Sequence, residues 1–473
     1  MRRLLRNTGL YTLGNVLPQA IGFILLPVYT RFLTPEQFGI VGSMQTLSVI
    51  LALTLTLAVD RAVYRLYWDH KTSEAKKTYL GTMLVSLIFV ATCVLALLFI
   101  GRDVVALSFR SIGFFPYFAY AILAAYFMTF GLLPKTRLQL EQRAGAFVAL
   151  TGLQFLLTTS AVLYFVVVQR EGAAGMLKGQ MLGNAAMAPV YLVSMRKAVR
   201  FRFRVNYLRD SLKFSLPMIP ALLSSWVLNL CDRIFIERYF TLREVGLYSL
   251  SFRIATIVLV VTGALSKAYH PVFYQRANAQ DQNSAQRQVA RLNNLFVLGA
   301  LVLVFLVSFF AREFVVLFLD PKFGSAHAIV PLIALSYFVA TWLGLLNLSV
   351  YQTKKTMIVA AFQLSGAAIT LALNFWLVPQ FGPYGAACAR LIALSAIFAA
   401  LYPYSRKCYK VQYNWGTIAL VGFGLAGIYA AFGIVKVDIV ASLVLKIFTV
   451  FTLAAIAWLT FGKKMSAMAS AEE

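Results

Sequence analysis

Acidic side chains are scarce in this chain: 17 Asp and Glu stand against 43 Lys and Arg among 473 residues, with only three His and four Cys. The cysteines (Cys93, Cys231, Cys388, Cys408) lack CxxC spacing, and His70, His270 and His327 lie far apart, so no metal-binding pattern is present and buried free thiols are expected. There is no G-x-x-x-x-G-K-[ST], which excludes ATP binding through a P-loop. No segment between apolar runs is long enough for a soluble catalytic domain, so the chain is not expected to be an enzyme or to need a cofactor.

What is abundant is apolar. Sixty per cent of residues are hydrophobic and 13% charged, and mean hydropathy is +0.76. That composition predicts an all-α polytopic membrane protein. Fourteen spans can be drawn, from 8–32 to 440–461, including 213–236 and 243–266. Of the 43 basic residues, 29 fall on one side of these spans, nine on the other and five inside them. The bias predicts that both termini are cytoplasmic and accounts for the +26 net charge without nucleic acid. Met1-Arg2-Arg3-Leu4-Leu5-Arg6 mimics a signal peptide, but the apolar run after it continues without an A-x-A site, so a retained first helix is expected.

The stretch from Cys231 to Arg253 stands out. It is the tip of a hairpin between two long apolar segments, and a near-copy precedes it: Arg31-Phe32-Leu33-Thr34-Pro35-Glu36-Gln37-Phe38-Gly39-Ile40 aligns with Arg238-Tyr239-Phe240-Thr241-Leu242-Arg243-Glu244-Val245-Gly246-Leu247. Thr34 to Gln37 reads as an N-cap, a proline at the first helical position and a capping box; Thr241 to Glu244 repeats the box without the proline. Gly172-Ala173-Ala174-Gly175 likewise recurs as Gly382-Pro383-Tyr384-Gly385. Six spans lie in each half, an even number, so the halves share one orientation. This predicts two pseudo-symmetric six-helix lobes, residues 1–200 and 201–410, around a central cavity, with 411–473 as an appended helix pair and cytoplasmic tail.

Arg253 lies about ten residues into its segment, roughly 15 Å along a helix and so near the midplane. A charge there costs at least about 2.5–3.5 kcal/mol on insertion scales, so a polar cavity or a partner is expected. A guanidinium binds phosphate bidentately, which makes Arg253 the first candidate to hold an anionic headgroup. Arg390, Lys178 and Arg233 are further candidates to line the cavity, although snorkelling or structural pairing competes for each. Asp60, Arg61, Asp232 and Arg31 are candidates for gating or ion pairing. Pro18 and Pro27, and Pro217 and Pro220, occupy the first helix of each half, where they would act as hinges. Asn15, Gln19, Ser224, Ser225, Trp226 and Asn229 give those helices a polar stripe. Lys446, in the appended hairpin, is expected to snorkel.

Three stretches carry a resemblance: N-V-L-P-Q…L-L-P-V-Y-T-R-F-L-T-P-E-Q-F-G (15–39), C-D-R…V-G-L-Y-S-L-S-F-R-I-A (231–255) with A-Y-H-P (268–271), and F-G-P-Y-G-A-A (381–387). With these the chain resembles the Wzx-type oligosaccharide-lipid flippases of the multidrug/oligosaccharidyl-lipid/polysaccharide exporter superfamily. The resemblance implies transfer of an undecaprenyl-diphosphate-linked glycan between leaflets of the bacterial inner membrane, coupled to H+ or Na+ or to the membrane potential. It also implies glycosyltransferases and a polysaccharide polymerase as partners, alongside membrane lipids. Related peptidoglycan-precursor flippases use cavity arginines for the diphosphate, and Arg253 sits where such an arginine falls; the first span here has no interior arginine. The alternatives are that flippase, a cation-coupled multidrug exporter, and a non-transporting scaffold or polymerase.

Overall fold

The computed structural model describes Gly9, Gly14, residues 17–434 and residues 438–453, apart from the Gln282 side chain. The basic N-terminal segment, Asn15, Lys436, the end of the last span and the C-terminal tail lie outside the described residues. Within a bilayer each backbone N–H and C=O must be bonded inside the protein, and an apolar chain meets that demand with helices. Among the described residues, ten helices are long and apolar enough to cross a membrane. One of them, Thr356–Cys408, is a hairpin folded at Gly382, whose φ of 55° and ψ of −135° break the helix and bring Gly366 against Ile397. Counting that hairpin as two, and adding the first helix, Gly172–Met195 and Ile439–Leu453, gives the fourteen expected.

The repeated glycines explain why the halves look alike. Gly172 and Gly382 both adopt left-handed φ, 60° and 55°, where a side chain would strain the backbone. Three residues on, Gly175 and Gly385 let the returning helix close on the one before it: a Cβ there would press on the carbonyls of Phe165 and Leu377. Each hairpin tip rests on the glycine turn of its own lobe, Gln37 on Gly172 and Phe240 on Gly382.

Across the lobes, the helices Pro35–Thr56 and Leu242–Ala277 cross at Gly39 and Gly246. A Cβ on Gly39 would overlap the Leu242 carbonyl, and one on Gly246 the Pro35 carbonyl, so the pseudo-symmetry axis passes between the two glycines. Other contacts tie the lobes at this tip end. The Ser111 amide donates to Glu237 Oε1 at 2.6 Å, Phe38 meets Phe323 edge-on at 5.7 Å, and Phe23 stacks on Phe314 at 4.9 Å. The caps form as the sequence requires at the first tip, where Thr34 and Gln37 complete a reciprocal box. At the second tip only half of it forms: Thr241 accepts from the Glu244 amide.

Helix breaks fall near the prolines. The first helix is interrupted at Leu25, just before Pro27, and the seventh passes through a 3₁₀ turn, Leu216–Met218, that contains Pro217 and precedes Pro220. The second span breaks at Leu57 and Ala58, both in left-handed backbone, so Asp60 and Arg61 begin a new short helix, Val59–Leu66, rather than closing the old one. Lys446 does not snorkel: its ammonium is buried against Glu313 at 2.9 Å and the Phe309 carbonyl at 2.6 Å, which fixes the appended helix to the second lobe.

Candidate functional site

Between the lobes, on the side of the glycine crossing away from the tips, lies a cavity of about 720 Å³. The first helix contributes Pro18, Gln19 and Phe23; Pro35–Thr56 contributes Phe38, Gly42 and Gln45. The second lobe brings in Arg233, Ser249, Phe252, Arg253 and Thr256. A second cavity of about 430 Å³ continues toward the basic end and shares Leu230 with the first; Asp60, Arg61, Ser225, Trp226 and Asn229 line it. The Trp226 indole donates to the Thr46 carbonyl at 3.0 Å and so bridges the lobes beside this passage.

Arg253 is half-buried and faces the larger cavity. Its guanidinium lies 5.9 Å from the Phe38 ring centroid, and among the described residues it has no hydrogen bond and no ion pair. Arg233 is 6% exposed; its Nε donates to Ser249 Oγ at 3.3 Å, its guanidinium sits 4.5 Å from the Phe252 ring, and Nη1 has no partner. Among the described residues, no Asp or Glu lines this cavity. Two cationic side chains with donors to spare thus stand among aromatic rings, an arrangement whose chemistry suits an anion.

Among the described residues Asp232 has no ion-pair partner within 4 Å. It is fully buried, with Oδ2 accepting from the Tyr248 hydroxyl at 2.6 Å and Oδ1 from Asn374 Nδ2 at 3.1 Å. Its side chain binds three helices of the second lobe. Removing one donor leaves a buried carboxylate oxygen bare, at a cost of about 1–3 kcal/mol. Tyr248→Phe should therefore lower the melting temperature of the purified protein by several degrees, and an unchanged melting temperature would show the bond to be dispensable.

Two candidates are corrected by the geometry. Arg390 does not line the cavity: it is 1% exposed inside the second lobe, donating to Ser336 Oγ at 2.9 Å, the Leu228 carbonyl at 2.7 Å and Asn229 Oδ1 at 3.0 Å. Each of its three guanidinium nitrogens donates one of these bonds, and its Cζ lies 5.1 Å from the centroid of the Phe252 ring. Lys178 is likewise elsewhere, paired with Glu171 at 2.9 Å over the Phe165 ring. Arg31 is exposed at the tip end, where its carbonyl accepts from Lys322 Nζ at 3.4 Å. Asp60 and Arg61 pair at 3.5 Å on the wall of the smaller cavity. Phe38, Phe252, Tyr248 and Asn374 had no role from sequence; nor did Glu237, an acid between Ile236 and Arg238 that is 2% exposed near the hairpin tip.

Comparison with known proteins agrees with this architecture. The polysaccharide biosynthesis protein family matches residues 4–276, more than half of the chain. The "Lsg locus putative protein 1" of Haemophilus influenzae is 22% identical over 286 residues, 58% of this chain and 66% of that protein, just under two thirds of its length. Among solved structures, "Lipid II flippase MurJ, inward closed conformation" superposes with a TM-score of 0.75 at 13% identity, covering 96% of this chain and 99% of that one. An inward-facing multidrug resistance MATE family transporter of the MOP superfamily gives 0.62 at 14% identity, covering 85% and 95%. At these identities the structural likeness is one of fold. The fold and the family match converge: this multi-pass membrane protein belongs to the polysaccharide biosynthesis protein family.

Proposed function

We propose that the protein is a flippase that carries an undecaprenyl-diphosphate-linked oligosaccharide from the inner to the outer leaflet of the bacterial inner membrane, for surface polysaccharide synthesis. The observation that carries this reading is the unpaired Arg253 beside the open Nη1 of Arg233 in a cavity without acids. A diphosphate presents bidentate acceptors to such guanidinium groups, while the polyprenyl tail stays in lipid. In this reading both termini are cytoplasmic, the tip end faces outward, and the chain is closed outside. Transport then requires the glycine crossing and the Glu237–Ser111 bond to part and the passage lined by Asp60 and Arg61 to close. The breaks beside Pro27 and Pro217 are the hinges, and H+ or Na+ coupling supplies the drive. Glycosyltransferases that build the glycan and a polymerase that consumes it are the implied partners.

The same fold serves multidrug exporters, but an organic cation would meet two arginines and no carboxylate in the 720 Å³ cavity. Reconstitution tests the reading. Proteoliposomes loaded on one leaflet with a polyprenyl-diphosphate-linked oligosaccharide should expose it to an added lectin much faster than empty liposomes do. Equal rates would refute the proposal.

A further inference from the structure

A second basic concavity lies away from the transport path, at the basic end of the first lobe. It encloses about 390 Å³, within the size range of small-molecule sites, and gathers Lys71 from just before the helix Ser73–Ile100, Lys76 and Lys77 from its first turns, Arg137 from Leu132–Leu140, and Lys197 from the connection between the lobes. Its single acid, Glu141, is taken by Arg137 at 2.6 Å. Nearby bases that have carboxylate partners hold them outside the pocket, Arg65 with Asp69 and Arg200 with Glu74. By contrast Lys71, Lys76, Lys77 and Lys197 have no carboxylate within 4 Å among the described residues. Lys76 is steered into the pocket wall by the Trp68 ring, 4.1 Å away, and by the buried Tyr67. Four unneutralised ammonium groups, three from residues 71–77 and one from the connection between the lobes, repel one another until an anion sits among them.

The surroundings say which anion. Lys76 and Lys77 precede Leu80, where the apolar part of the helix begins, by three or four residues, about 5 Å of rise, which puts their charges at headgroup depth. Arg200-Phe201-Arg202-Phe203-Arg204 runs extended along the same helix, held by the Arg200 amide on the Lys77 carbonyl at 3.0 Å and by the Arg204 amide on Thr82 Oγ1 at 3.2 Å. It exposes Phe201 at 76% and Phe203 at 50%, and Trp68 is 57% exposed. Water would leave such rings unfavourably placed; a membrane interface accommodates them.

We propose that this pocket binds the phosphate of an anionic membrane phospholipid, with Lys71, Lys76, Lys77 and Lys197 around the headgroup and Trp68, Phe201 and Phe203 at the acyl boundary. Basic side chains at this depth contribute a roughly fivefold gain in binding each. The site is independent of the transport reading, because binding is measured without flipping.

The test uses the full chain in detergent, with short-chain phosphatidylglycerol or phosphatidylcholine brominated on the acyl chains. The Trp68 contribution to quenching is taken as the difference from Trp68→Phe. Phosphatidylglycerol is expected to quench Trp68 at far lower concentration than phosphatidylcholine. The triple variant Lys71→Gln, Lys77→Gln, Lys197→Gln should weaken that binding roughly a hundredfold, whereas the corresponding arginine triple variant keeps it. Equal quenching by the two lipids, or an unchanged preference in the glutamine variant, would overturn the site. Full displacement by an equal concentration of glycerol phosphate would assign it to a soluble phosphate and overturn the lipid reading.

Discussion

Arg253→Ala should reduce glycan transport to the level of liposomes without protein, and Arg253→Lys should retain part of it. The guanidinium faces the cavity with no partner among the described residues, so its removal leaves no buried acid stranded and little reason for misfolding. What is lost is a pair of charge-assisted hydrogen bonds to the headgroup. Each contributes about 1.5–3 kcal/mol, a factor of roughly 10–150 in affinity. Lysine restores the charge as a point donor without the planar fork, hence the partial activity. Lys178→Ala is the matched control: its partner is Glu171, away from the cavity, so transport should stay close to wild type. Normal surface glycan in the Arg253→Ala strain, at matched expression, would remove the assigned role.

A second large effect is expected at the glycine crossing. Gly39→Val or Gly246→Val places atoms on a carbonyl of the opposite lobe, and neither helix backbone can yield locally. Overpacking of this kind costs typically 1–3 kcal/mol, enough to shift a two-state balance by roughly five- to 150-fold away from the tip-closed form. Arg31→Cys with Lys322→Cys, joined by a bifunctional thiol reagent long enough to replace the lysine side chain that now spans from Lys322 to the Arg31 carbonyl, reports that closure through its cross-linking yield. The yield should fall several-fold in either valine variant. Gly263→Val, on the same helix as Gly246 but with open space around it, should leave it unchanged. Undiminished cross-linking in the Gly39→Val or Gly246→Val variant would show that the lobes do not close on these glycines.

The sequence made depth along a helix legible and left direction around it open. Arg253, Arg390 and Lys178 could each be placed at a depth by counting residues, because rise per residue is fixed. Which way each side chain faces depends on packing, and the helices that carry these three have no polar face to show it; the polar stripe of Gln19, Ser225, Trp226 and Asn229, on the first helix of each half, did mark the cavity walls. Arg253 turned out to face the opening, whereas Arg390 turned into its own lobe, where Ser336 and the Leu228 carbonyl receive it. For Lys178 a signal existed: Glu171 is seven residues away, two turns along the same face. The repeat was the most informative feature, since glycines at matching positions mark places where a Cβ cannot fit, and those places proved to be the turns and the crossing. The Asp232, Tyr248 and Asn374 cluster was not legible, because its members meet only when three separate helices close.

The measurement that bears most directly on the basic cavity is equilibrium binding of an undecaprenyl-diphosphate-linked glycan to the purified chain in nanodiscs, compared between wild type, Arg253→Ala and Arg233→Ala. Saturable binding that weakens at least tenfold in Arg253→Ala, and also weakens in Arg233→Ala, is the predicted result. Equal affinity in all three would mean that the headgroup is held elsewhere, and the cavity would lose its function.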